Sequence, residues 1–84
     1  MLFRSRLALV GGASGMECIE IIAANAMHFL RPGGTLLIEH GYDQSQACRA
    51  LFTRLEFAHI RNHMDLAGLP RVIEGRFDPV SNAG

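Results

Sequence analysis

The stretch His28-Phe-Leu-Arg-Pro-Gly-Gly-Thr-Leu-Leu-Ile-Glu-His-Gly-Tyr-Asp-Gln44 decides the fold of this chain. Pro32-Gly33-Gly34 cannot continue a helix and ends whatever precedes it. Thr35-Leu-Leu-Ile38 then runs without a polar break. Runs of this kind mark strands covered on both faces, as in the parallel sheets of α/β proteins. Gly41-Tyr42-Asp43 is the exit loop.

Upstream, Met16 to Leu30 is almost wholly apolar. At 100° per residue Glu17, Glu20 and His28 fall on one narrow stripe, which predicts a helix buried on most of its sides. Ser14 with Glu17 three residues later fits a capping box at its start. Leu7-Ala-Leu-Val10 before it reads as a strand end or an ordered loop. Downstream, Asp43 fits an N-cap with Gln46 at the capping-box position. Ala47, Cys48, Leu51, Phe52 and Leu55 then share one helix face. From Phe57 the period changes to two. Ala58, Ile60 and Met64 alternate with His59, Arg61 and His63, which predicts a strand with one wet face. Asp65 to Pro70 is a turn, and Arg71 to Phe77 is a further strand centred on Val72 and Ile73. Residues 78–84 form a polar tail expected to fray.

The order helix, strand, helix, strand, strand predicts an α/β layer closed by an antiparallel hairpin. The chain has 84 residues, 49% of them hydrophobic and 19% charged, which suits a small globular core and excludes a disordered tail. Its formal net charge is zero and all its basic residues are scattered arginines. Electrostatic capture of nucleic acid or an anionic membrane is therefore not expected, while near-neutral charge favours self-association. No apolar run is long enough for a signal peptide or a membrane span, so a cytoplasmic location is the default expectation. Cys18 and Cys48 sit among apolar neighbours and read as buried free thiols. Met16, Met27 and Met64 read as core filler.

The residues His28 to Gln44, above all Glu39-His-Gly-Tyr-Asp-Gln44, resemble the penultimate helix and fifth strand of the release factor glutamine methyltransferase (PrmC/HemK) family. Asp65-Leu-Ala-Gly68, with Arg71-Val72 and Gly75-Arg76, resembles the final hairpin of that family. Phe3 with Leu7-Ala-Leu-Val-Gly-Gly12 is similar to the segment after its active-site loop. The resemblance covers about Phe3 to Phe77. It implies that residues 1–77 are the C-terminal part of a Rossmann-like class I methyltransferase fold with an incomplete sheet. In it Arg71–Phe77 would lie antiparallel between Thr35–Glu39 and Ala58–Met64, and the other side of Thr35–Glu39 would be bare. It further implies an S-adenosylmethionine-dependent enzyme that methylates the glutamine of the Gly-Gly-Gln motif in peptide-chain release factors, in the cytoplasm.

The resemblance assigns the chemistry to an Asn-Pro-Pro-Tyr motif and the donor to an earlier glycine-rich loop. Neither is in this chain, whose only prolines are Pro32, Pro70 and Pro79. No catalytic, cofactor-binding or metal residue is therefore carried over. The isolated chain is expected to bind no S-adenosylmethionine, to be inactive alone and to self-associate through an open strand edge. It departs from the family pattern at Phe3-Arg4-Ser5, at Ser14 and at Glu56-Phe57, where a glycine usually precedes the Phe. These departures fit either a gene remnant under relaxed constraint or a mis-assigned start.

Three motifs carry other readings. Leu7 to Gly15, a helix and a strand ending in Glu39 imitate a dinucleotide-binding βαβ unit, but Val10 stands in the first glycine place of the fingerprint. A second alternative is a non-enzymatic module that binds a partner chain along its open strand edge. His59 and His63 share a strand face about 13 Å apart at about 3.3 Å per residue, too far to share one zinc. Glu39 and His40 end the buried strand, where α/β folds bind ligands. They suit either a role in the site or a hydrogen-bonded pair that fixes the loop.

Overall fold

The computed structural model describes residues 15–78 in full and residues 7–10 by their backbone. In chain order the elements are β1 (Leu7–Val10), α1 (Met16–Ala26), β2 (Thr35–Glu39), a single 3₁₀ turn at Tyr42–Gln44, α2 (Ser45–Arg54), β3 (Ala58–Met64) and β4 (Pro70–Arg76). The four strands form one sheet in the order β1-β2-β4-β3. β4 lies antiparallel between β2 and β3, as the family resemblance implies.

The flank of β2 differs from expectation. It is not bare: β1 runs parallel along it, with Leu7 opposite Thr35 and Val10 opposite Ile38. Parallel pairing needs a crossover of a dozen or more residues, and α1 with its two loops supplies it. The open edge on this side therefore belongs to β1. Ser14, the expected cap, and Gly11-Gly12 lie outside the described residues, as do Phe3-Arg4-Ser5 and most of the tail. Gly15 occupies the N-cap of α1 without a side-chain cap bond.

Both helices pack on one face of the sheet. Leu36 and Ile38 of β2 and Ile73 of β4 point into a single core with Ile19, Ala23, Ala26 and Leu30 from α1 and its C-terminal turn, and Cys48, Leu51, Phe52 and Phe57 from α2 and its end. The other face carries Thr35, Leu37 and Glu39 opposite Arg76, Glu74 and Val72. Two-sided burial of β2 is thus corrected to one-sided burial, with Leu37 only half-buried. The apolar run reads the same either way, because a run carries no record of which layer is absent.

α1 is likewise less enclosed than predicted. Ile19, Ala23 and Ala26 are buried, whereas Ile21 is 62% exposed. The helix also ends at Ala26, short of Leu30. The amides of His28 and Phe29 bond back to the carbonyls of Asn25 and Ala26 at 3.0 Å. That tightening turns Leu30 into the core and leaves Phe29 75% exposed. Cys18 is exposed, contrary to the buried reading, while Cys48 is buried. Burial pushes the Cys48 thiol up to about 11, and its Sγ lies 4.0 Å from Met16 Sδ. Met16 and Met27 pack against the core, but Met64 is 60% exposed.

The start of α2 corrects the predicted cap. The Gly41 amide donates to Gln44 Oε1 at 2.7 Å at the start of the 3₁₀ turn, and Gln44 rather than Asp43 is the N-cap of α2, without a side-chain cap bond. On the predicted face Cys48, Leu51 and Phe52 are buried, Leu55 is partly so and Ala47 is exposed. The end of α2 is a Schellman motif. The amides of Glu56 and Phe57 bond to the carbonyls of Thr53 and Phe52, both at 3.0 Å. The rings of Phe52 and Phe57 close the motif with centroids 4.9 Å apart. Glu56 holds φ 67°, the left-handed conformation for which the missing glycine is suited.

The aromatic pair rests on β4 at Gly75. A Cβ there would lie 2.5 Å from Phe52 Cδ2 and 3.0 Å from Phe57 Cβ. Phe52 has no exposed surface through which to retreat. Gly75→Ala is expected to cost about 1–3 kcal/mol through overpacking. Glu56→Gly is expected to stabilise the fold by about 1 kcal/mol, the order of the left-handed penalty for a residue with a Cβ, and to raise the melting temperature by about 4–8 °C. Thermal melts followed by circular dichroism check both.

Candidate functional site

The C-terminal end of β2 is where α/β sheets present their ligand sites, and it is built from two loops. The first begins at His40, whose side chain is 3% exposed. Its amide donates to the Arg71 carbonyl at 2.8 Å, extending the pairing of β2 with β4. The ring fits the tautomer in which Nδ1 donates to the Gly41 carbonyl at 2.7 Å and Nε2 accepts from Asn62 Nδ2 at 3.3 Å. Both ring nitrogens are thus occupied, and the buried imidazole locks the loop onto β3. Of the two residues singled out in the sequence, Glu39 is exposed at the strand end and His40 fixes the loop through Gly41 and Asn62.

The second loop is the turn Asp65 to Leu69. Asp65 Oδ1 accepts from the amides of Ala67 at 2.9 Å and Leu69 at 3.0 Å. Gly68 holds φ 83°, which lets the chain reverse within this span. Asp65 Oδ2 accepts from Arg71 Nε at 3.0 Å. The Leu69 amide, the Arg71 guanidinium and the Ala67 amide hold the Asp65 carboxyl below the usual carboxylate range.

Arg71 joins the loops. While paired with Asp65, its guanidinium carbon stands 5.7 Å from the centroid of the Tyr42 ring, within cation–π range. The two sequence markers, Glu39–Gln44 and Asp65–Gly68, therefore meet through one arginine. Around them Tyr42, Met64, Leu66 and Leu69 are exposed. The cluster contains no paired base and nucleophile. His40 and Asp65 are both spent on hydrogen bonds, so its chemical capacity is to hold and present a rim. Sequence reasoning did not foresee the parts of Asn62 and Arg71. The spacing of Asp65 from Ala67, Gly68 and Leu69 is the signal that marks the turn.

The histidines of β3 stand as follows. His63 Nε2 lies 2.7 Å from Glu74 Oε1, and His59 sits on a bulge on the open sheet face. Among the described residues no group of His, Cys, Asp and Glu is placed to hold a metal ion, and no helix is long and apolar enough to cross a membrane.

Comparison with known proteins decides the kinship. The chain is 43% identical over 77 residues to the release factor glutamine methyltransferase of Salmonella typhimurium, covering 92% of this chain and 28% of that protein. It is 42% identical over 74 residues to that of Burkholderia pseudomallei (88% and 26%) and 41% over 75 residues to that of Vibrio cholerae (89% and 26%). Over most of its length the chain is similar to release factor glutamine methyltransferases. It spans about a quarter of the length of these curated relatives. No family model and no solved structure matches it. A match covering 77 of 84 residues takes in both loops of the cluster.

The depressed Asp65 pKa predicts an acid-sensitive turn. A carboxyl whose folded pKa lies below its unfolded value stabilises the fold above the unfolded value of 3.8 and loses that contribution as pH falls through the folded value. Wild type is expected to melt above the Asp65→Asn variant at neutral pH and to converge with it as pH falls through the folded Asp65 value. Paired melting curves across pH read the difference, in which all other carboxyls cancel.

Proposed function

We propose that this chain is the far flank of a Rossmann-like class I methyltransferase domain, the C-terminal part of an enzyme that transfers a methyl group from S-adenosylmethionine to the glutamine of the Gly-Gly-Gln motif in peptide-chain release factors. The observation that carries this reading is the meeting of the two family-like loops at the C-terminal end of β2, coupled by Arg71 to Tyr42 and Asp65. Identity of about 40% to release factor glutamine methyltransferases supports it.

In this reading the 84 residues orient and do not react. A glutamine amide nitrogen is a poor nucleophile, so methylating it depends on positioning and on hydrogen bonds to developing charge. The sequence contains no Asn-Pro-Pro-Tyr to supply them. The described residues of the loop cluster do not fit S-adenosylmethionine either. His40 leaves no ring nitrogen unbonded, and Asp65, the carboxylate of the rim, is taken by three donors. We therefore assign no chemical step to these side chains. Tyr42 and the apolar residues of the hairpin tip are the groups that a substrate protein would meet.

Two measurements test the proposal. Purified 84-residue chain, mixed with radiolabelled S-adenosylmethionine and a release factor, is expected to transfer no methyl group. A chimera in which this chain replaces the matching 77 residues of the Salmonella typhimurium relative is expected to methylate the release factor. A soluble, folded chimera without activity would overturn the assignment, as would methyl transfer by the 84-residue chain alone.

The alternative of a partner-binding strand edge is weaker than the sequence suggests. β1 already covers the flank of β2. Self-association, if measured by sedimentation, would then run through the outer edge of β1, through β3, or through the exposed apolar side of α1 at Ile21 and Phe29.

A further inference from the structure

The sheet face away from the helices carries a concavity of about 350 Å³, lined by Gly33, Thr35, His59, Arg61, Glu74 and Arg76. Its basic side chains come from two strands. Arg76 from β4 reaches across the Gly33 turn, its Nη2 3.7 Å from where Gly33 would carry a Cβ. Arg61 and His59 come from β3. Neither arginine forms an ion pair with another described side chain. The one carboxylate of the lining, Glu74, is turned to His63 at 2.7 Å.

The backbone goes out of its way to place His59 here. Between the pairs Ala58–Arg76 and Arg61–Glu74 the register shifts, so His59 and Ile60 together oppose Gly75. This is a β-bulge, and bulges re-aim side chains. His59 takes φ 53° within it, a conformation that glycine adopts freely and that strains a residue with a Cβ. Nothing in the packing asks for the imidazole, which is exposed.

We propose that this concavity binds the phosphate group of a small ligand, with Arg61, Arg76 and His59 as donors and the Thr35 hydroxyl beside them. Two guanidinium forks match the oxygens of a phosphate in geometry and charge better than a single carboxylate would fill them. The volume lies at the small end of ligand sites. The site is separate from the loop cluster at the strand end and does not depend on the methyltransferase reading.

The test is a titration of the ¹⁵N-labelled 84-residue chain with inorganic phosphate at constant ionic strength, with chloride as the screening control. Saturable shifts at Thr35, His59, Arg61 and Arg76 are expected. The Arg61→Gln, Arg76→Gln double variant changes only exposed side chains and is expected to keep the amide spectrum while weakening phosphate by about tenfold or more. Should that variant not fold, the Arg61→Lys, Arg76→Lys variant keeps the charge, loses the forks and is expected to bind less tightly than wild type. Glycerol phosphate, run alongside, separates the sources: equal binding means that the group is read as part of an ester, and weaker binding means the free anion. Shifts that rise linearly without saturating, or an arginine variant that binds phosphate like wild type, would overturn the proposal.

Discussion

Phe52 packs against the bare backbone of Gly75, and the rest of the structure is arranged to allow it. The contact joins α2 to the central antiparallel strand at the middle of the core. It needs Phe52 in the last turn of α2, and it needs the chain to reverse at once so that Phe57 stacks beside it. That reversal forces Glu56 into the left-handed region. The strain is local and small, while the aromatic packing is buried, so the balance favours the motif even without a glycine at its cap.

A second constraint acts at the other end of the sheet. There the loops leave their apolar side chains exposed, and polar bonds hold them instead. His40 is tied to β3 through Asn62 and to β4 through the Arg71 carbonyl. Arg71 then ties Asp65 to Tyr42. Exposed ion pairs contribute little by themselves. The Asp65 turn gains more from geometry, since one carboxylate answers two amides and a guanidinium. The result is a rim whose shape is set while its outward side chains stay free to meet a partner.

The two sheet faces divide the labour. The helix-covered face carries the stability, through Leu36, Ile38, Ile73 and the side chains above them. The open face carries the charge, with Arg61, Glu74 and Arg76 side by side. The strained bulge turns His59 to the open face, while its second residue, Ile60, packs against the core.

Local signals in the sequence determined most of the elements. The Pro32-Gly33-Gly34 stop, the run to Ile38, the alternation from Ala58 and the Asp65–Gly68 turn all rest on near-neighbour preferences; the structure keeps the run and the turn, ends α1 already at Ala26 and breaks the alternation with a bulge after Ala58. The left-handed cap at Glu56 was legible only through the family resemblance, in which a glycine usually precedes the Phe. What only the tertiary structure decided is which surfaces meet. The same apolar residues of α1 and β2 suit one covering layer or two, so Ile21, Phe29 and Cys18 proved exposed and Leu37 half-covered. Leu7–Val10 needed the unpaired flank of β2 to become a strand. His40 found Asn62, and Arg71 found both Tyr42 and Asp65, across separations in the chain that no periodicity spans. Burial and partnership are properties of the assembled layers, and a linear pattern records only the preference to be buried.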